Sequence, residues 1–211
     1  MVRLSSADKL EAKPDAPSLK RFILLLGGCD CLFWDEDHLH EVIEVRETKP
    51  DFFVQTAEKD EFLVEVKSFD GESRSLAAFR NGNRVMSGLS SIDYKQIRSR
   101  LDKAAGQLKP YERREIPLLI VLDDFRGTGV PCNPDILLAA LYGLDGGFAF
   151  FRERDKRYIS AVGWLLGNDS SLFLRIVHNR WAQVPLPKRV FQRTQDEHCG
   201  IDEHGHIFGL L

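Results

Sequence analysis

The sequence predicts an α/β domain built on a mixed sheet, and three features of its apolar pattern support this fold class. A helix that ends at Gly27-Gly28 precedes several short segments in which apolar residues alternate, which is typical of strands. Residues 117–122 are apolar throughout, as in a strand buried in the middle of a sheet. Between these regions, a longer helix over residues 92–109 is indicated by an apolar stripe with helical spacing: Ile97, Leu101, Ala104, Ala105 and Leu108.

Turn and cap residues divide the chain into elements. Ser18 is a candidate N-cap for the first helix, and Pro110 ends the second. Gly143 ends a third helix over residues 134–142, and Gly167 opens the turn of a hairpin. The strands are predicted at residues 29–34, 40–46, 51–55, 61–68, 117–122, 157–166 and 171–178, with a small C-terminal hairpin within residues 201–211. Residues 70–90, which are rich in glycine and polar residues, are expected to form a loop.

Composition and charge narrow the class of protein. The 211 residues are 43% hydrophobic and 29% charged, so the chain has enough apolar material for a folded core. The formal net charge of −3 argues against indiscriminate coating of nucleic acid. Of the four cysteines only Cys29 and Cys31 are close in sequence, so no disulfide framework is expected. The expected location is therefore the reducing cytoplasm. No apolar run reaches the roughly 20 residues of a membrane span, so no membrane association is expected.

The stretch that carries chemistry is Pro50-Asp51 followed by Glu65-Val66-Lys67. Asp51 opens one strand of the predicted hairpin and Glu65 lies toward the end of the next, so their carboxylates can share one side of the sheet. Glu65 and Lys67 are two residues apart and therefore face the same way, while Val66 faces the core. Two carboxylates and a carbonyl suit Mg²⁺ or Mn²⁺. A lysine beside them can orient a water or offset charge on a phosphate, which suits metal-assisted phosphodiester hydrolysis.

These residues resemble the motif of the PD-(D/E)XK nuclease superfamily, which has the restriction-endonuclease-like fold. The resemblance implies a core of a helix, three antiparallel strands, a second helix and a fourth strand. It implies metal ligation by Asp51, Glu65 and the Val66 carbonyl, and a catalytic role for Lys67. The expected organisation is an N-terminal arm over residues 1–17 and a single domain over residues 18–211. Within that domain the core covers residues 18–125, and an extension with a further helix and strands covers residues 126–211.

A second resemblance lies on the helix after the Glu-Val-Lys strand. Gln107 and Tyr111 have the Q-x-x-x-Y spacing of RecB-like exonucleases, which implies that Gln107 orders the substrate or the site. Pro110 interrupts this pattern, so the direction of the tyrosine and the alternative of a surface glutamine with a loop tyrosine both stay open. Arg100 and Lys103 lie on the same helix face as Gln107, opposite the apolar stripe.

Positive and negative residues are segregated along the chain, and this distribution favours nucleic-acid binding although the net charge does not. Residues 1–73 carry a net charge of −8, residues 74–114 of +7 and residues 115–211 of −2. The positive segment directly follows the Glu-Val-Lys strand, where a phosphate backbone would lie. DNA is therefore the expected partner, and its expected contacts are Arg74, Arg80, Arg84, Lys95, Arg100, Lys103 and Tyr111.

Several alternatives stay open. The chain could be a catalytically inactive module of the same fold that binds nucleic acid or a protein, or an assembly protein without nucleic acid. The family often has a further acidic residue in its first helix, and Glu11, Glu41 and Glu44 are the candidates for it. Asp123-Asp124 are interpreted as a solvated turn, and no histidine or cysteine spacing matches a known zinc site. The nature of the nucleic acid and a homodimer are also left open.

Overall fold

In the described residues, eight strands form a mixed sheet at the centre of the molecule, and they lie in the order in which they occur along the chain. The computed structural model describes residue 11 and residues 13–45, 48–69, 91–124, 134–143, 149–187, 190–191, 197–201 and 206–209. Its helices are α1 (Ala16–Gly27), α2 (Ser91–Leu108) and α3 (Pro134–Tyr142), with 3₁₀ turns at Leu39–Glu41 and Lys109–Tyr111. Its strands are β1 (Cys31–Asp35), β2 (Phe52–Thr56), β3 (Glu61–Ser68), β4 (Leu118–Asp123), β5 (Ala161–Leu166), β6 (Phe173–His178), β7 (Glu197–Ile201) and β8 (Ile207–Phe208).

The first four strands provide the frame for the candidate site. β1, β2 and β3 are antiparallel neighbours, and β4 is parallel to β3. α2 connects β3 to β4, as a parallel pair requires a crossover connection. β5 is parallel to β4, and β6 pairs with β5 in the predicted hairpin. The C-terminal elements therefore extend the same sheet, and the predicted α/β class with a mixed sheet flanked by helices is confirmed.

Two apolar layers cover the two faces of the sheet. On one face Ile97 and Leu101 of α2 pack with Ile120 of β4 and with residues of α3. On the opposite face Phe22 of α1 packs with Val66 of β3 and with other apolar side chains. β4 contributes side chains to both layers, which explains why its sequence is apolar throughout. No helix in the described part of the chain is long and apolar enough to span a membrane.

Two predicted elements need correction. Residues 40–45 do not form a strand, because Leu39 and Ile43 are the buried residues and the Ile43 amide donates to the Leu39 carbonyl at 2.9 Å. This spacing of four residues produces a helical turn instead of the alternation of a strand. α1 begins at Ala16 and not after Ser18, since Pro17 is compatible with the first helical turn and Asp15 is the residue that precedes the helix. The predicted loop over residues 70–90 lies outside the described residues.

The hairpin of β5 and β6 turns where the sequence predicts. Gly167 has a φ of +88°, and a Cβ atom at this position would lie 1.9 Å from the carbonyl oxygen of Ser171. Only glycine fits both the backbone conformation and the space. The Gly167 carbonyl also accepts a hydrogen bond from Arg21 Nη2 at 2.9 Å, so the turn is attached to α1.

Candidate active site

Asp51 and Glu65 lie side by side across the β2–β3 hairpin. Phe52 pairs with Val64, so continuing the antiparallel register by one residue places Asp51 opposite Glu65. Residues that are opposite each other on antiparallel strands have side chains on the same face. This face is the one covered by α2, because Phe53 and Leu63 lie two residues from Asp51 and Glu65, share their face, and belong to that apolar layer. The structure therefore brings the two predicted carboxylates together, while Val66 packs on the opposite face.

At the start of β2 a side chain takes the place of one backbone hydrogen bond between β2 and β3. The Val66 amide donates a hydrogen bond to Asp51 Oδ2 at 2.8 Å, so Oδ1 is the oxygen that remains for a ligand. In the same register Pro50 lies opposite Val66, and proline has no amide hydrogen to donate to the Val66 carbonyl. The Pro-Asp sequence thus replaces one rung of the ladder with a side-chain contact.

Glu65 is a buried carboxylate with little compensation. Its side chain is 0% exposed, and Lys67 Nζ lies 2.5 Å from Oε1. No described residue donates a hydrogen bond to Oε2. Because a buried ionised group needs partners, this oxygen favours a proton or a cation.

The site shifts the pKa values of its three ionisable groups. Burial raises the pKa of Glu65 well above its ordinary value, and the nearby Asp51 carboxylate adds to the effect. Burial also raises the pKa of Asp51, although Lys67 and the Val66 amide oppose this. Burial acts to lower the pKa of Lys67, but the carboxylates of Glu65 and Asp51 outweigh it and the net shift is upward. Lys67 is therefore held as an ammonium between two acids.

The segment before α1 completes the site, and the sequence analysis missed it. The Asp15 carboxylate accepts hydrogen bonds from the Ser68 amide at 2.9 Å and from the Ser68 hydroxyl at 2.5 Å, and its other oxygen lies 3.5 Å from Lys67 Nζ. Lys13 Nζ lies 2.7 Å from Glu36 Oε2 and 3.6 Å from Asp51 Oδ1. In the sequence, Pro17 with Asp15 before it indicates where α1 begins, but this signal does not indicate that Asp15 and Lys13 contact the site.

The three candidates for an upstream acid lie elsewhere. Glu11 is exposed and pairs with Lys20 at 2.7 Å. Glu44 is exposed and lies 3.5 Å from Arg114, and Glu41 is exposed at the end of a 3₁₀ turn. None of these described contacts reaches Asp51 or Glu65, and the acids that do lie beside the site are Asp15 and Glu36.

Tyr111 is a core residue, which corrects its predicted contact with nucleic acid. Its side chain is 0% exposed and its hydroxyl donates to the Thr48 carbonyl at 2.9 Å. The Gln107 carbonyl accepts a hydrogen bond from Thr48 Oγ1 at 2.8 Å, so the end of α2 is attached to the segment that leads into Asp51. Among the described contacts no hydrogen bond joins the Gln107 side chain to Asp51, Glu65 or Lys67.

The predicted basic contacts are only partly described. Lys103 is exposed and Arg100 is half-buried on the flank of α2 that carries Gln107. The side chain of Lys95 lies outside the described part of the chain, and so do the predicted contacts Arg74, Arg80 and Arg84.

The donor set fits a hard divalent cation. Asp51 Oδ1, Glu65 Oε2 and the Val66 carbonyl are all oxygens, as Mg²⁺ and Mn²⁺ prefer. The fit of these residues to such a cation is supported by Glu65 Oε2, a buried oxygen to which no described residue donates a hydrogen bond. The set is small, since the described residues contain no group of three or more Asp, Glu, His or Cys side chains that could hold a metal.

A second buried acid lies on the opposite face of the sheet. Asp123 is 0% exposed at the end of β4, so it is not the solvated turn that the sequence suggests. Arg21 Nε lies 3.1 Å from its Oδ2, and the same guanidinium reaches Asp169 at 3.6 Å. Burial raises the pKa of Asp123 to about 6, although Arg21 and Ser18 oppose this.

Comparisons with protein-family models, with curated proteins and with solved structures return no match. The case for a function therefore depends on the contacts of Asp51, Glu65 and Lys67 and on the motif that these residues form.

Proposed function

We propose that this protein is a metal-dependent nuclease of the PD-(D/E)XK type that hydrolyses phosphodiester bonds in DNA. The observation that carries the proposal is the pairing of Asp51 with the fully buried Glu65 across β2 and β3, with the Lys67 ammonium 2.5 Å from Glu65. The order of α1, β1, β2, β3, α2 and β4 is also the order that the resemblance implies.

The roles of the acidic residues follow from their free oxygens. Asp51 Oδ1, Glu65 Oε2 and the Val66 carbonyl would hold Mg²⁺ or Mn²⁺. When bound, the ion supplies Lewis-acid polarisation of a phosphoryl oxygen. Glu65 is buried, and burial raises its pKa because it disfavours the ionised carboxylate. A cation bound beside Glu65 would stabilise this ionised form.

Lys67 acts on the water or on the phosphate. Its side chain is 11% exposed, so the ammonium lies at the boundary between the buried acids and solvent. Asp15 and Glu65 hold it from two sides, which restricts where its remaining hydrogens can point. From this position it can donate a hydrogen bond that orients the attacking water and offsets charge that develops on the phosphate.

The flank of α2 with Arg100 and Lys103 is the proposed path of the DNA backbone. This flank ends at Gln107, whose carbonyl is bonded to Thr48, three residues before Asp51. A basic helix flank adjoining the acidic site would hold a phosphate chain by charge, with a strong dependence on salt. A cytoplasmic location is part of the proposal, and it is supported by the cysteine spacing, in which only Cys29 and Cys31 are close in sequence. A homodimer stays a prediction.

A second candidate is a nuclease-like module that binds nucleic acid without cutting it. Its support is the small donor set of two carboxylates and a carbonyl, together with the positive charge that Lys13 and Lys67 already place beside the two acids. In this case metal binding would be absent while salt-dependent DNA binding would persist.

Cleavage assays with matched variants test the proposal. Plasmid, single-stranded and branched DNA are incubated with the protein in Mg²⁺ or Mn²⁺, and in EDTA. Wild type is expected to cut at least one substrate, whereas Asp51→Asn, Glu65→Gln and Lys67→Met are expected to be inactive. Asp123→Asn is the control for loss of a buried carboxylate away from the site, and it should retain activity. Undiminished metal-dependent cleavage by Glu65→Gln would refute the assignment, and DNA binding without any cleavage would favour the module.

A further inference from the structure

Three acids form a row across the antiparallel strands, and a second lysine lies within it. The β1–β2 register pairs Asp35 with Phe52, so continuing it by one residue places Glu36 opposite Asp51. The β2–β3 register places Asp51 opposite Glu65. Lys67 contacts the Glu65 end of this row, and Lys13 lies between Glu36 and Asp51.

Lys13 contacts the one Asp51 oxygen that a metal would take. Asp51 Oδ2 accepts the Val66 amide, and Lys13 Nζ lies 3.6 Å from Oδ1. The same ammonium is only 2.7 Å from Glu36 Oε2, so its shorter contact is with the acid outside the proposed donor set. Its side chain is 25% exposed, so the ammonium lies at the boundary between the row of acids and solvent.

Resting on the proposed function, we infer that Lys13 is a tethered cation that competes with the divalent ion for Asp51 and withdraws to Glu36 when the ion binds. In the free site, the Lys13 ammonium adds to the Val66 amide and to the charge of Lys67 in compensating the buried Asp51 carboxylate. A divalent ion at Oδ1 would repel an ammonium held nearby, and Glu36 provides a second partner to which it can retreat. Glu36 therefore raises the affinity of the site for the divalent ion, and Lys13 lowers it.

The experiment is calorimetric titration of Mn²⁺ into the full chain at fixed pH and ionic strength. Lys13→Met is expected to bind Mn²⁺ about tenfold more tightly than wild type, because a positive charge is removed from the site. Lys13→Arg keeps the charge and is expected to stay near wild type. Lys20→Met is the matched control, since Lys20 makes an ion pair of the same length with Glu11 on an exposed surface.

Glu36→Gln completes a thermodynamic cycle. It removes the second partner of Lys13, so Mn²⁺ binding should weaken severalfold in this variant. In the Lys13→Met background the same substitution should weaken Mn²⁺ binding less, because only the direct attraction between Glu36 and the ion is lost and no ammonium remains to be displaced. Should Lys13→Met fold poorly in a thermal melt, Lys13→Gln makes the same test.

The outcomes separate this inference from the proposed function. If Glu65→Gln abolishes Mn²⁺ binding while Lys13→Met binds as wild type does, competition by Lys13 is refuted and the metal site stands. If Mn²⁺ binding survives in Glu65→Gln, the proposed site is wrong, and with it the inference. If Lys13→Met binds Mn²⁺ and wild type does not, the competition by Lys13 is supported in its strongest form. If neither wild type nor Lys13→Met binds Mn²⁺, the proposed metal site and the competition by Lys13 are both refuted.

Discussion

On each face of the sheet, a cluster of charged residues contains buried carboxylate at the same end of neighbouring strands, but the two clusters neutralise this charge differently. Asp51 and Glu65 face α2 and are balanced by Lys13 and Lys67, each of which is shared with a second acid. Asp123 faces α1 and is balanced by Arg21, whose guanidinium also binds the Gly167 carbonyl.

This difference separates a site from a structural contact. Burial raises the carboxyl pKa in both clusters, so pKa values alone do not distinguish them. A lysine ammonium is a point charge on a flexible stem that can give way to another cation, whereas an arginine held at several acceptors is fixed. We therefore expect function at Asp51 and Glu65, and stability at Asp123.

The largest expected effect is on catalysis, and it should be confined to one cluster. Glu65→Gln should lower the rate of metal-dependent DNA cleavage by about 10³-fold or more, because it removes a ligand and a charge where the phosphate is activated. Asp123→Asn should change that rate by less than about threefold. Rates from a single-turnover assay at saturating Mg²⁺ make the comparison, and equal losses in the two variants would contradict it.

The next effect is on folding, and it should be confined to the other cluster. Arg21→Met leaves Asp123 buried without its cation and should lower the free energy of unfolding by about 3 kcal/mol at pH 8. The loss should be smaller at pH 5, where Asp123 can be protonated. Urea denaturation at the two pH values measures it, and a loss that is independent of pH would show that the charge of Asp123 is not its cause.

The pH dependence of stability should report the raised pKa of Asp123. Its folded-state pKa of about 6 lies above the ordinary value of 3.8, so the folded protein binds a proton more tightly than the unfolded chain does. The contribution is favourable at low pH and is lost as pH rises from about 4 through about 6. Asp123→Asn should remove this part of the slope in thermal melts between pH 4 and 7. Glu65→Gln removes another carboxyl group with a raised pKa, so its thermal melts over the same pH range are the matched comparison for Asp123→Asn.

The smallest effect is stabilisation by metal. At a Mg²⁺ concentration ten times its dissociation constant, wild type should gain about 1.4 kcal/mol of folding stability, because the ion binds the folded state. Asp123→Asn should gain the same amount and Glu65→Gln should gain nothing. Thermal shift at pH 8 with and without Mg²⁺ measures the gain, and a gain in Glu65→Gln would place the ion elsewhere.

Local pattern was sufficient for most of the fold. The unbroken apolar run of β4, the stripe of α2 and the glycine at position 167 each impose one local structure, and the structure has all three. The error at residues 40–45 arose because two buried residues four apart also fit a short alternating pattern. The packing of both Leu39 and Ile43 in the core favours the helical turn over the strand.

Local patterns in the sequence predict the α/β class, the β2–β3 hairpin and the placement of Glu65 and Lys67 on one face, because strand alternation and turn chemistry act over a few residues. Long-range packing places Lys13 and Asp15 beside this pair, buries Tyr111 and brings Arg21 to Asp123. These contacts join residues far apart in the chain, and their formation depends on how α1 and α2 pack on opposite faces of the sheet. No local periodicity encodes such packing.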